Sequence, residues 1–412
     1  MRKLITISVA SLVCVSLAVT SGLASEYTLE IFGNANMDGT IDEDDIEYVL
    51  GIIEGTNEAT ELADANYDGE IDEGDVNQIE LIIRGEEKMM TFIDAQDKAI
   101  TVNKPIDRIV TLPPSSLDTV RAIGAAENVV GISTFLDEVY FPDLSKLPSV
   151  GSSWFTPDYE AIIELDPDVV LTLGNYTPGI EDVMAPAGIT VIRIEFNVVE
   201  LIPAETKKLG YILDREDEAT EFVNWYTEWT DEIRSRTDEL PEAEKPRAFM
   251  GYQNMAGGKG TFWDSACKTA GGINIAENLD GYREVDPEWL VEQNPDIIVK
   301  AATLLTVTEA SQGYRTDDSS EMRAFREGLL NQTGWEGIDA VKSGNVYVAA
   351  WQIHLGTHTI VLTAYLAKWF HPELFEDMDP RAIHQEYLTR FQGLNYDVYQ
   401  HGVFVYPPLE EC

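Results

Sequence analysis

Residues 160–171 read EAIIELDPDVVL, and residues 288–299 read EWLVEQNPDIIV. The two stretches align without a gap and share Glu160/Glu288, Glu164/Glu292, Pro167/Pro295 and Asp168/Asp296. Each predicts a short helix, a Pro-Asp turn and a β-branched run of the kind that forms a buried strand. A repeated unit of this type predicts two similar α/β lobes. Between the copies, EDEATEFVNWYTEWTDEIRSRTDEL (216–240) places Ala219, Phe222, Val223, Tyr226, Trp229 and Ile233 at steps of three and four, the period of one helix face. Acidic residues crowd its first turn, where the helix dipole favours them, and Pro241 and Pro246 lie past its end. Such a helix spans roughly 35 Å, enough to join two lobes.

Outward from the repeat the chain keeps alternating. RIVTL (108–112) predicts a strand, PPSSLDTVRAIGA a helix opening on Ser115 or Ser116, and VVGIS a strand, with alternation continuing to about Phe196. From Pro246 the pattern returns as AFMGY strand, SACKTAGGINIA helix, IIVKAA strand and VYVAAW strand, before two amphipathic helices, TIVLTAYLAKWF and RAIHQEYLTRF. This order predicts parallel sheets covered by helices on both faces. It divides the chain into an N-terminal lobe over 89–200, a connecting helical region over 201–245 and a C-terminal lobe over 246–412. Glu86–Asn103 reads as a short linker and a strand pair.

The 412 residues are 44% apolar, enough for two or three cores. Residues 1–25 combine Arg2 and Lys3, an apolar run and the small-residue ending SGLAS, which predicts a secretory leader. Cys14 sits inside that run, the wrong place for a lipid attachment. After cleavage Cys267 and Cys412 remain, too few for a disulfide scaffold or a thiolate cluster, although the two could pair outside a cell. Formal charge is −45, from 73 acidic against 28 basic residues. That balance argues against nucleic acid, whose phosphates require a basic surface, and suits a solvated shell tolerated in a salty habitat.

Residues 26–88 form a third unit. NANMDGTIDEDD (34–45) and DANYDGEIDEGD (64–75) place Asn34, Asn36, Asp38, Asp42 and Asp45, and Asp64, Asn66, Asp68, Asp72 and Asp75, at loop positions 1, 3, 5, 9 and 12. Gly39 and Gly69 stand sixth, and Thr40 and Glu70 offer backbone carbonyls at position 7. Oxygen donors at this spacing suit Ca²⁺. One apolar-periodic helix follows each loop, IEYVLGIIEG and VNQIELIIRG. This small all-α unit resembles the type I dockerin module over residues 31–85, including Asp at position 12. The resemblance implies two bound Ca²⁺ ions and a cohesin-domain partner. Asn34 replaces the usual first Asp, which implies a weaker first site.

RIVTLPPSSLDTVRAIGAAENVVGIS, LPSVGSSWFTPDYEAIIELDPDVVL, AGGINIAENLDGYREVDPEWLVEQNPDIIV and AYLAKWFHPELFEDMDPRAIHQEYLTRF resemble the class III substrate-binding proteins of ABC importers. The resemblance covers about residues 95–405. It implies two Rossmann-like lobes joined by one long helix, with an iron-siderophore, haem or cobalamin-type ligand in the cleft. It also implies an ABC-transporter permease, with its ATPase, as partner. Open α/β sheets bind ligands outside the carboxyl ends of strands, where this sequence carries Ser115, Ser116, Tyr140, Trp154, Asn175, Tyr176, Tyr252, Trp263, Tyr282 and Trp351. Flat aromatics suit a large or flat ligand. In the family an aromatic six residues before the docking glutamate lines the cleft, which is the position of Trp154 and Tyr282. Glu160 and Glu288 match the glutamates with which family members grip permease arginines. His354 and His358 (HLGTH) fit a structural role, ligand contact or a transition-metal pair. Arg283 and Arg315 are further cleft candidates.

The expected function is therefore a secreted or cell-surface binding protein delivering a metal chelate or corrinoid to an importer. The alternative is a non-catalytic, dockerin-borne component of a cohesin-organised assembly. No G-x-S-x-G, H-E-x-x-H or phosphate-loop motif occurs, so an enzyme is not expected.

Overall fold

The structure is a computed structural model that describes residues 27–133, 136–153, 155–303, 307, 312–354 and 356–409. The expected leader, Trp154 and Cys412 lie outside the described residues.

The N-terminal unit is built on helices α1 (Glu43–Glu54) and α2 (Glu73–Arg84). Asp42 and Asp72 cap them, while Asp45 and Asp75 reach back to the cap N–H, giving two capping boxes. The unit does not hang free. Its leading segment lies along the antiparallel hairpin of β1 (Met89–Ile93) and β2 (Ala99–Asn103). Phe32 N–H donates to Thr91 O at 2.9 Å, and Ile93 N–H to Glu30 O at 2.9 Å. The segment read as a linker is tied down as well. Buried Glu87 pairs with buried Lys104 at 2.6 Å, and Lys104 also pairs with Asp214 at 2.6 Å. Buried Lys208 joins Glu30 at 2.8 Å and Glu205 at 3.0 Å. Leu29, Ile31, Val49 and Ile79 consequently share one apolar core with Leu209, Ile212 and Phe222.

The N-terminal lobe contains β3 (Ile109–Thr111), α3 (Pro114–Ala122), β4 (Val129–Ile132), α4 (Tyr159–Glu164), β5 (Val169–Leu173), α5 (Ile180–Met184) and β6 (Thr190–Ile194). Its sheet is parallel throughout, in the order β4-β3-β5-β6. Helix α3 opens one residue earlier than expected, on Pro114, a position where the missing N–H of proline costs nothing. Helices α6 (Ile202–Ile212) and α7 (Glu216–Thr237) then lead to the second lobe. The 22-residue α7 buries Ala219, Phe222, Val223, Tyr226 and Ile233, the face read from its periodicity.

The C-terminal lobe runs through β7 (Arg247–Tyr252), β8 (Met255–Gly257), α8 (Phe262–Thr269), β9 (Ile273–Asn274), β10 (Tyr282–Glu284), α9 (Pro287–Gln293), β11 (Ile297–Ala302), α10 (Ser320–Leu330), α11 (Asp339–Ser343), β12 (Val346–Ala350), α12 (Thr359–Phe370), α13 (Pro380–Glu386) and β13 (Val405–Tyr406). Its sheet is mixed rather than all-parallel. β7, β9, β10, β11 and β12 run in one direction, while β8 and β13 run against it. The reversal begins at a tight turn in which Gln253 takes φ +47°. The expected helix SACKTAGGINIA is corrected at both ends. Thr261 caps α8 early, and Gly271, at φ +79°, ends it so that Ile273–Asn274 can join the sheet. After α13 the chain continues as one π-helical turn, Tyr387–Phe391.

Three apolar layers result. A central core lies between the lobes and around α7 and α12. Val110, Ile162, Val170 and Val191 fill the outer face of the first sheet, and Phe249, Leu290, Ile298 and Trp335 that of the second.

Candidate functional site

The carboxyl ends of β5, β7 and β12 deliver Tyr176, Tyr252 and Trp351 to the boundary between the lobes, and β10 adds Tyr282. All four are half-buried. Tyr252 lies 5.7 Å from Tyr282 and 5.9 Å from Trp351, centroid to centroid. Tyr176 comes from the opposite lobe. Burial raises its phenol pKa, and Glu195 and Tyr252 lie near enough to raise it further. Phe155 stands 5.1 Å from Tyr176.

Beneath these rings His354 is fully buried. It is stacked on Phe262 at 4.9 Å, edge-on to Trp351 at 4.5 Å and 5.0 Å from Trp263. Burial pushes His354 down to about 3, so its imidazole is neutral. Trp263 is itself 0% exposed and forms the floor of the cluster rather than its surface. Asn175 is exposed at the rim, where its Oδ1 accepts a hydrogen bond from Gln96 at 3.4 Å.

Ser115, Ser116, Tyr140 and His358 belong to a second, deeper cluster that crosses the lobe boundary. Gly356 packs so tightly on Ser115 that a Cβ there would lie 2.9 Å from Ser115 Cβ. Ser116 is 0% exposed, and its hydroxyl has no hydrogen-bond partner among the described residues. Tyr140 stacks on Tyr314 at 4.9 Å and donates to Asp118. Asp118 also accepts from Tyr387 Oη at 2.5 Å and Thr357 Oγ1 at 2.9 Å. Arg121 sits 4.3 Å from the centroids of Tyr140 and Phe141 and donates to Gln392. Tyr314 Oη contacts His384 Nε2 at 2.8 Å and His358 Nε2 at 3.3 Å. Burial, then His384 and Arg121, hold His358 well below its ordinary range. Burial alone pushes His384 down to about 3.

The two histidines of HLGTH thus sit in two short 3₁₀ turns and serve different clusters. Asp118, Tyr314, Thr357, His384, Tyr387 and Gln392 were not anticipated from sequence. They come from segments up to 274 residues apart (Gln392 to Asp118 O) and carry no local motif. Arg315 pairs with Asp137 at 3.3 Å across the same boundary, whereas Arg283 is exposed. A separate hollow of about 370 Å³ opens beside Arg121, Glu218, Glu221 and Arg390. It lies on the flank of α7, and none of Tyr176, Tyr252, Tyr282 and Trp351 lines it.

Glu160 on α4 and Glu288 on α9 are both exposed, each near the amino end of the repeated helix of its lobe.

In the two acidic loops over residues 34–45 and 64–75 the candidate donors are all oxygens, which fits a hard cation. Asp45 and Asp75 are 0% exposed. Asp45 accepts from Asn36 N–H at 3.0 Å and Asp42 N–H at 2.9 Å, and Asp75 from Asn66 N–H at 3.1 Å and Asp72 N–H at 2.8 Å. Burial, with added repulsion from Asp38 and Asp42, pushes Asp45 up to about 6. A cation would relieve that repulsion. Asn34 differs from Asp64. Its amide nitrogen is pinned to Leu29 O and Asp38 O, both at 2.7 Å, whereas the two Asp64 oxygens accept from Asp68 and Gly69 N–H. Among the described residues no three His, Cys, Asp or Glu side chains are gathered as metal ligands. The loop carboxylates turn instead toward backbone N–H groups, as in the four bonds to Asp45 and Asp75.

Two α/β lobes bridged by α7, meeting over an aromatic-lined boundary at their strand ends, define a two-lobed binding protein. The chain belongs to the periplasmic binding protein family, which matches residues 109–351. It is 30% identical over 213 residues to a cobalamin-binding protein of Halobacterium salinarum, a match covering 50% of this chain and 57% of that protein. The match thus spans little more than half the length of that relative. It is 24% identical over 298 residues to the uncharacterized ABC transporter substrate-binding lipoprotein YvrC of Bacillus subtilis, covering 70% of this chain and 87% of that one. The fold is shared with the TroA-like periplasmic binding protein FepB of Veillonella parvula, with TM-score 0.62, 23% identity, and 76% and 98% of the two chains covered. Among the described residues no helix is long and apolar enough to cross a membrane.

Proposed function

We propose that this protein is the extracytoplasmic substrate-binding component of an ABC importer. It captures a cobalamin-type corrinoid, haem or ferric siderophore between its lobes and presents it to a permease and its ATPase through Glu160 and Glu288. The observation that carries the reading is the approach of Tyr176 to Tyr252 and Tyr282 at the lobe boundary, with Trp351 against Tyr252. Flat rings and phenols bury a large planar ligand with little loss of conformational freedom. None of these four rings is basic, and Arg315 is engaged by Asp137, so a neutral corrinoid suits the cluster better than an anionic chelate. The cobalamin-binding relative supports the same order. Gel filtration of the mature protein with cobalamin, haem or a ferric hydroxamate tests it. The ligand's visible absorbance should elute with the protein.

For residues 26–88 we propose two Ca²⁺ ions, held by Asn34, Asn36, Asp38, Thr40, Asp42 and Asp45, and by Asp64, Asn66, Asp68, Glu70, Asp72 and Asp75, with a cohesin-type partner. Exposed Leu50 and Ile53 on α1 and Ile83 on α2 offer it an apolar face. Binding to a recombinant cohesin that is lost in chelator tests this tether. Calcium-dependent capture without retention of any small ligand would favour the assembly-component reading.

A further inference from the structure

Strand β11 carries a lysine where its periodicity calls for an apolar side chain. Successive residues alternate faces. Ile297, Val299 and Ala301 join the central core, and Ile298 joins the outer layer. Lys300 shares the face of Ile298, and the residue is 3% exposed. Its ammonium donates to Gln253 O at 2.7 Å and lies 4.1 Å from the centroid of Phe249. An ammonium has three donors, so these contacts leave one unassigned. Among the described residues no carboxylate forms an ion pair with it. Lys300 lines a cavity of about 190 Å³ between the β7–β8 turn, α9 and the segment after α10. Trp335 lines the same cavity, and its buried indole N–H has no hydrogen-bond partner among the described residues. The remaining wall is largely apolar, Leu290 included, and exposed Asp286 stands at the rim.

We propose that this cavity binds a small organic monocarboxylate, its head on Lys300 and the Trp335 N–H and its hydrocarbon body against Phe249 and Leu290. Burying a lone cation is costly unless an anion accompanies it, and the Asp286 carboxylate at the rim opposes a multivalent anion. None of Tyr176, Tyr252, Tyr282 and Trp351 lines the cavity, so the site is separate from the aromatic cluster, and its volume is far below that of a corrinoid or haem. It lies directly behind α9, and its occupant braces the helix that presents Glu288.

Calorimetric titration and thermal melting of the calcium-loaded full chain test the proposal, with acetate, isovalerate and benzoate as probes and inorganic phosphate as control. Isovalerate or benzoate should bind saturably and raise the melting temperature, acetate should bind more weakly and phosphate not at all. Lys300→Met should abolish binding without lowering the melting temperature, and Trp335→Phe, which keeps the shape, should weaken it about tenfold, the worth of one hydrogen bond. Absence of any carboxylate response, phosphate binding as well as the carboxylates, or an undiminished response in either variant would overturn it.

Discussion

The Asp118 carboxylate, on α3 of the N-terminal lobe, accepts a 2.5 Å hydrogen bond from the phenol of Tyr387, on the turn that follows α13. Thr357 and Tyr140 complete its shell. The lobes are thus tied at a buried polar knot.

Asp118→Ala should therefore cost about 3–5 kcal/mol, because it strands three buried hydroxyls and the Arg121 charge. Asp118→Asn should cost less, about 1–2 kcal/mol, since burial already raises the carboxyl pKa and favours its uncharged form. Urea unfolding of both variants measures the difference.

Calcium removal should destabilise the whole chain, not only the first sixty described residues. Lys208 links Glu30 to Glu205, and Lys104 links Glu87 to Asp214. The module and the first lobe should therefore unfold together. A ligand at a hundred times its dissociation constant contributes about 2.7 kcal/mol. Chelator should lower the single melting transition by several degrees, and Asp75→Ala should remove most of that effect. Separate transitions in calorimetry would contradict the coupling.

The lobes could be read from the sequence because their signals are local. The two Pro-Asp turns lead into β5 and β11, and α7 buries the stripe that its periodicity marks. The sheet of the second lobe was read less well, because β8 and β10 are three-residue strands that depend on the turn at Gln253. The aromatic residues at strand ends were legible by position, yet Trp263 and Tyr140 proved buried rather than open. Nothing local marks Asp118, Tyr314, His384 or Lys300. Each looks like an ordinary polar residue until the fold encloses it.

Lys300 gives stability a distinct pH dependence. Burial lowers it from 10.5 to about 7. Between those values the unfolded chain binds more protons at this site than the folded one, so stability rises with pH across the window. The penalty is fully present below about pH 7 and is relieved toward pH 10.5. Lys300→Met should stabilise by about 1–4 kcal/mol below neutrality. Its advantage should shrink steadily as pH rises, which denaturant melts at several pH values would follow.

Glu160 and Glu288 are exposed, so Glu160→Ala with Glu288→Ala should change stability by no more than about 0.5 kcal/mol per site. Ligand retention should be intact while association with a reconstituted permease falls sharply. Loss of ligand retention in the double variant would move these residues from docking to the binding site.

The most direct test is a tryptophan-fluorescence titration of the calcium-loaded mature protein with cobalamin. Trp351 borders Tyr252 at the lobe boundary and His354 beneath it. Saturable quenching at micromolar ligand or below, weakened at least about tenfold by Tyr252→Ala, is the predicted result; burying one aromatic side chain is worth that much. No quenching by cobalamin, haem or a ferric siderophore, from protein whose fold is intact by circular dichroism, would contradict the account.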